Sequence, residues 1–384
     1  MPTVIVVGAG LAGLACARAL QEAHIDVEIV EKSNRSGGRI KTDVVDGFRF
    51  DHGFQVLNPA YSELRRFNLV NDLKMCFLPK GFEIDIDGSM RLIGDPRENM
   101  RYLKDDLSRV TGSLREKIAF LSFIVGRSHE GTLGDAMKSS GKFYQESVKG
   151  FLDGVFLTDS DRVSSHMARE ILRWFVRGNP GVPTLGMGEL AGLLAIGLNI
   201  QFNCRVDEVR DGIIKTSSGD MKADYIVIAT DPNTTQRLIS KSPVEMNHSW
   251  TWYHAVPKGL VTSRYLRVLP HNPFINSVAI SNIAPSYAPA NQTLISSTTL
   301  QKISEVEAKE AVARAWRIPT SEIQHLRSYE IVESLPLHEP GRPLDAPQAI
   351  SDRVVVAGDY YAIPAQQGAL RSGRLAAEMI IARL

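Results

Sequence analysis

Val4-Ile-Val-Val7, then Gly8-Ala-Gly-Leu-Ala-Gly13, then Val27-Glu-Ile-Val30 closed by Glu31, is the stretch that decides the fold. The first β-branched run predicts a strand, the Ala- and Leu-rich residues from Leu14 to Ala23 a helix, and Val27–Val30 a second strand. Together they form a right-handed βαβ unit on a parallel sheet. The glycines have separate tasks. Gly8 permits the tight turn, Gly10 lets the backbone approach a pyrophosphate, and Gly13 allows close helix–strand packing. The free N–H groups of the helix start, around Leu11 and Ala12, favour an anion. Glu31 stands 18 residues past Gly13. It is placed to accept from a ribose hydroxyl pair, and its charge disfavours the 2′-phosphate of NADP. Lys32 follows it at the edge of the same expected site.

The next residues separate a nicotinamide dinucleotide from FAD. Gly37-Gly38-Arg39 forms a second glycine turn just before an expected Thr42–Val45 strand. A longer, flavin-bearing dinucleotide needs such a turn, because its diphosphate and ribityl chain run past it. Arg39 can neutralise phosphate in bidentate fashion; the plain alternative is a solvated arginine. Near the C-terminus, Val354–Ala357 predicts a strand running into Gly358-Asp359, where Asp359 can accept from ribityl hydroxyls. Gln367-Gly368-Ala369 then opens a final helix, from about Gly368 to Leu384, whose N-terminus would set positive partial charge against the flavin pyrimidine. The cofactor expected is FAD.

Composition bounds the rest. The chain has 384 residues, 43% of them hydrophobic, with 44 Lys+Arg against 43 Asp+Glu. That balance argues against nucleic acid as a partner. Cys16, Cys76 and Cys204 lie far apart without a CxxC spacing, which excludes a disulfide scaffold or zinc ribbon and suits a reducing, cytoplasmic setting. With chemistry beginning at residue 4, no leader is expected. The histidines show no ligand spacing, so no metal is expected.

From Asp95 to about Leu194 the pattern is mainly helical. Leu114–Val125 reads most simply as a buried helix, the alternative being a lipid-facing or substrate-access helix. Strands are expected at Ile213–Thr216, Ala223–Ala229, Trp250–Tyr253, Leu260–Val268, Ser277–Ile283 and Thr293–Thr299, and a helix over Lys302–Trp316. The proline-rich stretch 335–347 reads as an extended return. The expected class is α/β (α+β overall). A Rossmann-like FAD-binding domain (1–58, 185–240 and 340–384) holds an inserted helical and antiparallel-sheet substrate domain (59–184 and 241–339).

The segments VIVVGAGLAGLACARAL…VEIVEKSNRSGGRIKT, FRFDHGFQVL and VVVAGDYYAIPAQQGALRSGRLAAEMI resemble the FAD-binding superfamily of flavin amine oxidases, protoporphyrinogen oxidase and phytoene desaturases. VKGFLDGVFLTDSDRVSS and VPTLGMGELAGLLA look like the desaturase-type pattern around the helical part, so the desaturase-like bacterial oxidoreductases are closest in style. The resemblance implies that the backbone of Val206 meets adenine and that Ala229-Thr230 gives a second dinucleotide contact. Two departures matter. Ala365 stands where amine oxidases of this type carry a cage aromatic, which puts a simple amine substrate in doubt. No cysteine follows Cys204, so the flavin is expected to be non-covalent.

Other residues stay open. His52 and Gln55, where the chain returns towards the flavin, are candidate active-site groups; a structural histidine is equally compatible. Tyr360 and Tyr361 line the ring or belong to the core. Gly186-Met-Gly188-Glu-Leu-Ala-Gly192 reads as a domain-crossing turn and not as a second nucleotide site. Lys258 has a poor context for an amine-oxidase lysine. Arg169, Arg173 and Arg177 read as a solvated face, although a nucleotide-sugar mutase would need such a row. Phe120, Phe123, Trp174, Trp250, Trp252 and Tyr253 are expected to roof the cavity. The expected function is hydride transfer from a lipophilic or unsaturated organic substrate to flavin N5, with O2 or a quinone as electron acceptor and a peripheral membrane contact. The alternatives are an amine oxidase or a non-redox flavin mutase or isomerase.

Overall fold

Four of the five residues of the strand Thr3–Val7 are buried, and it has a parallel neighbour on each side, Asp26–Val30 and Tyr225–Ile228. The computed structural model describes residues 2–126, 130–240, 244–345 and 347–384; Ala346, in the proline-rich return and in the expected C-terminal domain segment, lies outside them. The six-stranded sheet runs Gln348–Ala349, Val354–Val356, Tyr225–Ile228, Thr3–Val7, Asp26–Val30, Asn199–Gln201. All neighbours are parallel except the first pair. Strands covered on both faces need apolar residues throughout, which is why Val4–Val7 reads as uninterrupted Val and Ile.

Side chains alternate across that sheet. Val4 and Val6 face the first helix, Leu11–Glu22, and the last, Gln366–Ile381. Ile5 and Val7 face a three-stranded meander over Val206–Lys222 and the helix Pro232–Ile239. The two helices pack backbone to backbone: a Cβ on Gly373 would lie 1.9 Å from the carbonyl oxygen of Ala12.

A second, seven-stranded sheet runs Gln324–Pro336, Met246–Pro257, Gln292–Thr299, Asn276–Val278, Leu266–Val268, Gly81–Ile86, Ser89–Gly94. It is antiparallel except where Leu266–Val268 meets Gly81–Ile86. One face packs on the helix Glu305–Trp316, through Trp252 and Val256. The other face turns towards the first domain, where the Tyr253 hydroxyl donates to the Asp51 carbonyl at 2.8 Å. The strands of the first sheet come from 1–58, 185–240 and 340–384, and those of the second from 59–184 and 241–339.

Several expected elements differ. The hairpin Gly81–Gly94 and the strand Gln324–Pro336 were not expected; the latter is rich in charged and polar residues because much of it is half-exposed at the sheet edge. Leu260–Val268 shrinks to Leu266–Val268, and Ser277–Ile283 splits into a strand and the short helix Ile280–Ile283. Leu114–Val125 is helical, but it is not wholly buried. Phe120, Phe123 and Ile124 point inwards, while Leu114, Ile118, Leu121 and Val125 are 54–80% exposed.

Arg169 and Arg173 are not a solvated face. Their Nε atoms donate to the carbonyls of Phe123 and Ile124 at 2.9 Å, and a further Arg173 nitrogen donates to Gly126, so they cap the C-terminal end of that helix. The helix Ser165–Arg177 places these two side chains at i, i+4 for this task. Arg177 is exposed.

Candidate functional site

The turn after Thr3–Val7 is built for a ligand. Gly8 has φ +105°, and a Cβ there would meet the Ala229 carbonyl at 2.7 Å. A Cβ on Gly13 would lie 1.9 Å from the Gly8 oxygen, so only glycine lets the helix start this close. Gly10 is different. A Cβ there meets nothing within 4 Å, and the helix it opens has neither a side-chain cap nor an acid in its first turn. The N–H groups of this uncapped first turn therefore favour an anion, and the space beside Gly10 leaves room for one to approach.

The second glycine turn lies directly on the first. Gly37 N–H donates to the Ala9 carbonyl at 2.8 Å, and Gly10 and Gly37 form a parallel bridge. Gly38 has φ +59° and faces the Gly10 Cα. Glu31 is buried and fixed from both sides: the Ala9 N–H donates to one carboxylate oxygen at 2.8 Å, and the Ser33 N–H and hydroxyl donate to the other at 2.9 and 2.7 Å. Its spare lone pairs remain for a ribose. Ser33, two residues past Glu31 with a hydroxyl, was the overlooked partner, and its spacing was the available signal. The stretch before Val206 comes to the same place, since Asn203 and Cys204 N–H groups donate to the carbonyls of Ser33 and Glu31. Ala229 and Thr230 close the strand beside Gly8, and the Thr230 hydroxyl lies 2.8 Å from that of Thr235. Lys32 is exposed and pairs with Asp231 at 3.2 Å.

Farther along the groove, Arg39 donates to Asp359 at 2.5 Å. Gly358 N–H donates to the Ser372 hydroxyl, tying this turn to the last helix. Gln55 donates to the Arg39 carbonyl and accepts from Gln366, joining all three segments. Gln367 turns away: its side chain accepts from Glu63 N–H and donates to the Ser62 hydroxyl. Gly368 is held against the Ile363 carbonyl, 1.9 Å from a notional Cβ, and Ala369 N–H bonds back to Ala365. Glu63, gripped by Arg374 at 2.8 and 3.0 Å, anchors this helix and had no sequence motif to betray it. The open glycine cradle, the uncapped helix start and the fixed acid suit an adenine dinucleotide, and the second turn with Arg39 and Asp359 suits FAD.

The remaining candidates disperse. His52 bonds to Asp43 at 2.9 Å and packs tilted against the ring of Tyr329, whose hydroxyl donates to the same carboxylate at 2.7 Å. Burial pulls the His52 imidazole below its usual range, against the pull of Asp43. Tyr360 sits in the core on the meander side of the first sheet, its hydroxyl 2.8 Å from that of Thr235. Tyr361 tilts against it and is half-buried.

Lys258 follows the strand end and is exposed. Gly186–Gly192 enters the helix Gly188–Ala195, which packs beside the first helix. Buried Asp51 fixes its start, accepting from Met187 N–H, Thr42 and Tyr287, while burial pushes the Asp51 carboxyl up. The six aromatics do not form one roof. Phe120 and Phe123 lie in the helical core, Trp252 faces the helix Glu305–Trp316, Trp250 stacks on His248, Trp174 meets Tyr61 edge-on, and Tyr253 meets Phe50.

The comparisons agree with this geometry. Polyamine oxidase 3 of Oryza sativa subsp. japonica is 27% identical over 258 residues, 59% of this chain and 51% of that protein. The chain thus spans about half the length of that curated relative, 51%. A crystal structure of an oxidoreductase from Methanosarcina mazei matches with a TM-score of 0.78 at 17% identity, over 98% of this chain and 100% of that one. Putrescine oxidase bound to putrescine matches with a TM-score of 0.69 at 16% identity, over 99% of each chain. The family described as flavin containing amine oxidoreductase matches residues 11–381. The chain belongs to that family, whose members bind FAD.

Proposed function

We propose that the protein is an FAD-dependent oxidoreductase that takes a hydride from a lipophilic organic substrate, with O2 or a quinone as the final acceptor. Bound FAD supplies the hydride acceptor at N5. The chain's own part is to grip the diphosphate at the Gly10 turn, hold the ribityl region alongside the Arg39–Asp359 pair, and exclude water with the second sheet. The observation that carries the substrate class is the helix Leu114–Val125. Its stripe of Leu114, Ile118, Leu121 and Val125 is exposed, and Leu107 and Met100 are exposed in the segment before it. Arg101, Lys104, Arg109 and Arg115 are exposed in the same region. An apolar stripe among cations suits the surface of an anionic membrane, where lipophilic substrates reside. Among the described residues, no helix is long and apolar enough to cross a membrane.

Amine oxidation is the second reading, favoured by the likeness to a polyamine oxidase. A mutase reading loses its phosphate clamp, because Arg169 and Arg173 are spent on capping a helix. Anaerobic stopped-flow mixing separates the two that remain. Saturable flavin bleaching by a carotenoid or porphyrinogen in detergent, faster than by benzylamine or spermidine, is the expected result. Bleaching by the amines alone overturns the lipophilic assignment.

A further inference from the structure

We infer that the second sheet carries a ligand site of its own, apart from the flavin groove: a cleft at the end of the helix Glu305–Trp316 that takes an organic carboxylate with a flat apolar body. A cavity of about 570 Å³ lies there, and its lining includes Glu83, Leu260, Thr262, Arg264, Arg267 and Trp316. That is the size of a small-molecule site. Its place in the sheet separates it from the flavin. Arg267 pairs with Ser277, Ser277 with Ser297 and Ser297 with Trp252, so Arg267 stands on the face of Trp252. That face packs on the helix Glu305–Trp316, whereas Tyr253, one residue on, points to Asp51 and the first domain.

The charges of the lining do not cancel, because Arg264 and Arg267 stand against a single carboxylate, Glu83. Glu83 is already engaged. One oxygen accepts from Arg267 Nε at 2.6 Å and the other from the Ser263 hydroxyl at 2.9 Å. Arg267 is held further by the Ala315 carbonyl at 2.6 Å and lies over the Trp316 ring, 4.1 Å from its centroid. Arg264 is exposed and has neither an ion pair nor a hydrogen bond among the described residues. The loop before it is fixed and poor in acceptors, since Asn282 donates to the carbonyls of Val261 and Ser263 at 3.0 Å each. Thr262 adds an exposed hydroxyl. One unbalanced positive charge with donors around it suits a monoanion, which an arginine holds through charge-assisted hydrogen bonds. The space and the walls ask for more than a bare ion. Pro79, Val261 and Trp316 add apolar lining, and Leu260 is 40% exposed there. A carboxylate on a flat hydrocarbon body meets both requirements.

The test is a calorimetric titration of FAD-loaded protein with 2-naphthoate, 2-naphthamide and inorganic phosphate. 2-Naphthoate is expected to bind saturably, and the neutral amide and the bare anion each about tenfold more weakly or worse. The oxidised flavin spectrum should not change at saturation, because the cleft is on the other face of the sheet. Arg264→Glu, a reversal at an exposed position, should weaken 2-naphthoate about tenfold while leaving the melting temperature and the flavin spectrum as they were. Arg264→Lys keeps the charge and should retain most of the affinity. Leu260→Asp is the second variant, read in the same way if Arg264→Glu does not fold. Absence of saturable binding overturns the site, as does equal 2-naphthoate binding by the parent and the Arg264→Glu protein. Phosphate binding as tight as that of 2-naphthoate overturns the ligand class. A flavin spectrum shifted by 2-naphthoate places the ligand in the flavin groove and overturns the separate site. The substrate reading above is decided by flavin bleaching and is untouched by any of these results.

Discussion

Arg39 and Asp359, 320 residues apart in the chain, meet at 2.5 Å and join the second glycine turn to the turn after the strand Val354–Val356. The Asp359 side chain is only 6% exposed, and the arginine is its ion-pair partner there. Arg39→Ala should lower stability by on the order of 1–3 kcal/mol in urea titrations, because a buried carboxylate loses its partner. Adding Asp359→Asn should recover most of that stability without recovering FAD affinity measured by flavin fluorescence. Full recovery of affinity would show that Arg39 only serves Asp359 and does not touch the cofactor.

Gly10→Val should separate folding from cofactor binding. The space beside Gly10 is free of protein atoms, so the apo variant should keep the parent's circular dichroism and melting temperature. Its branched side chain fills the approach to the helix start, and FAD should be absent after purification. Retained FAD would place the diphosphate elsewhere.

Gly373→Ala tests the contact of the first and last helices. The added methyl would stand 1.9 Å from the Ala12 carbonyl oxygen, so the backbones must part. Overpacking of this kind costs about 1–3 kcal/mol, read as a lower denaturant midpoint. FAD affinity should fall with it, since Ala12 lies in the cradle.

Asp106 gives a pH-dependent stability with a definite sign. Burial pushes its carboxyl up to about 6, against the Gly94 N–H and Lys117. The unfolded carboxyl ionises near its ordinary 3.8. The protonated form is therefore favoured by folding, and its stabilisation is complete below about pH 4 and lost as pH rises through 6. Asp106→Asn should raise the melting temperature at pH 7.5, and the difference should vanish near pH 4. An equal effect at both values would mean that the carboxyl is not perturbed.

Much of the cofactor groove was legible because it depends on local rules. A glycine with positive φ, a strand of continuous Val and Ile, and an acid at a strand end each announce themselves within a few residues, and Gly8 and Thr3–Val7 stand where these rules put them. The roles of Arg169, Gln367 and Trp252 were not legible, because each depends on what lies opposite. Arg169 reads as a surface residue until Phe123 presents a bare carbonyl to it. Gln367 reads as part of a helix start that faces the flavin until Ser62 and Glu63 take its amide.

By itself, then, the sequence determined the βαβ nucleotide cradle, the two glycine turns and the return of the C-terminal strand to the same sheet. These follow from backbone conformation and hydrophobic periodicity, which act over a few residues at a time. Tertiary structure alone decided which face of Leu114–Val125 is exposed, how the aromatics divide among cores, and that Glu83, Arg264, Arg267 and Trp316 line one cleft. Strand register and helix facing are set by partners tens to hundreds of residues away, and a side chain's hydrogen-bonding balance has no value until those partners are in place.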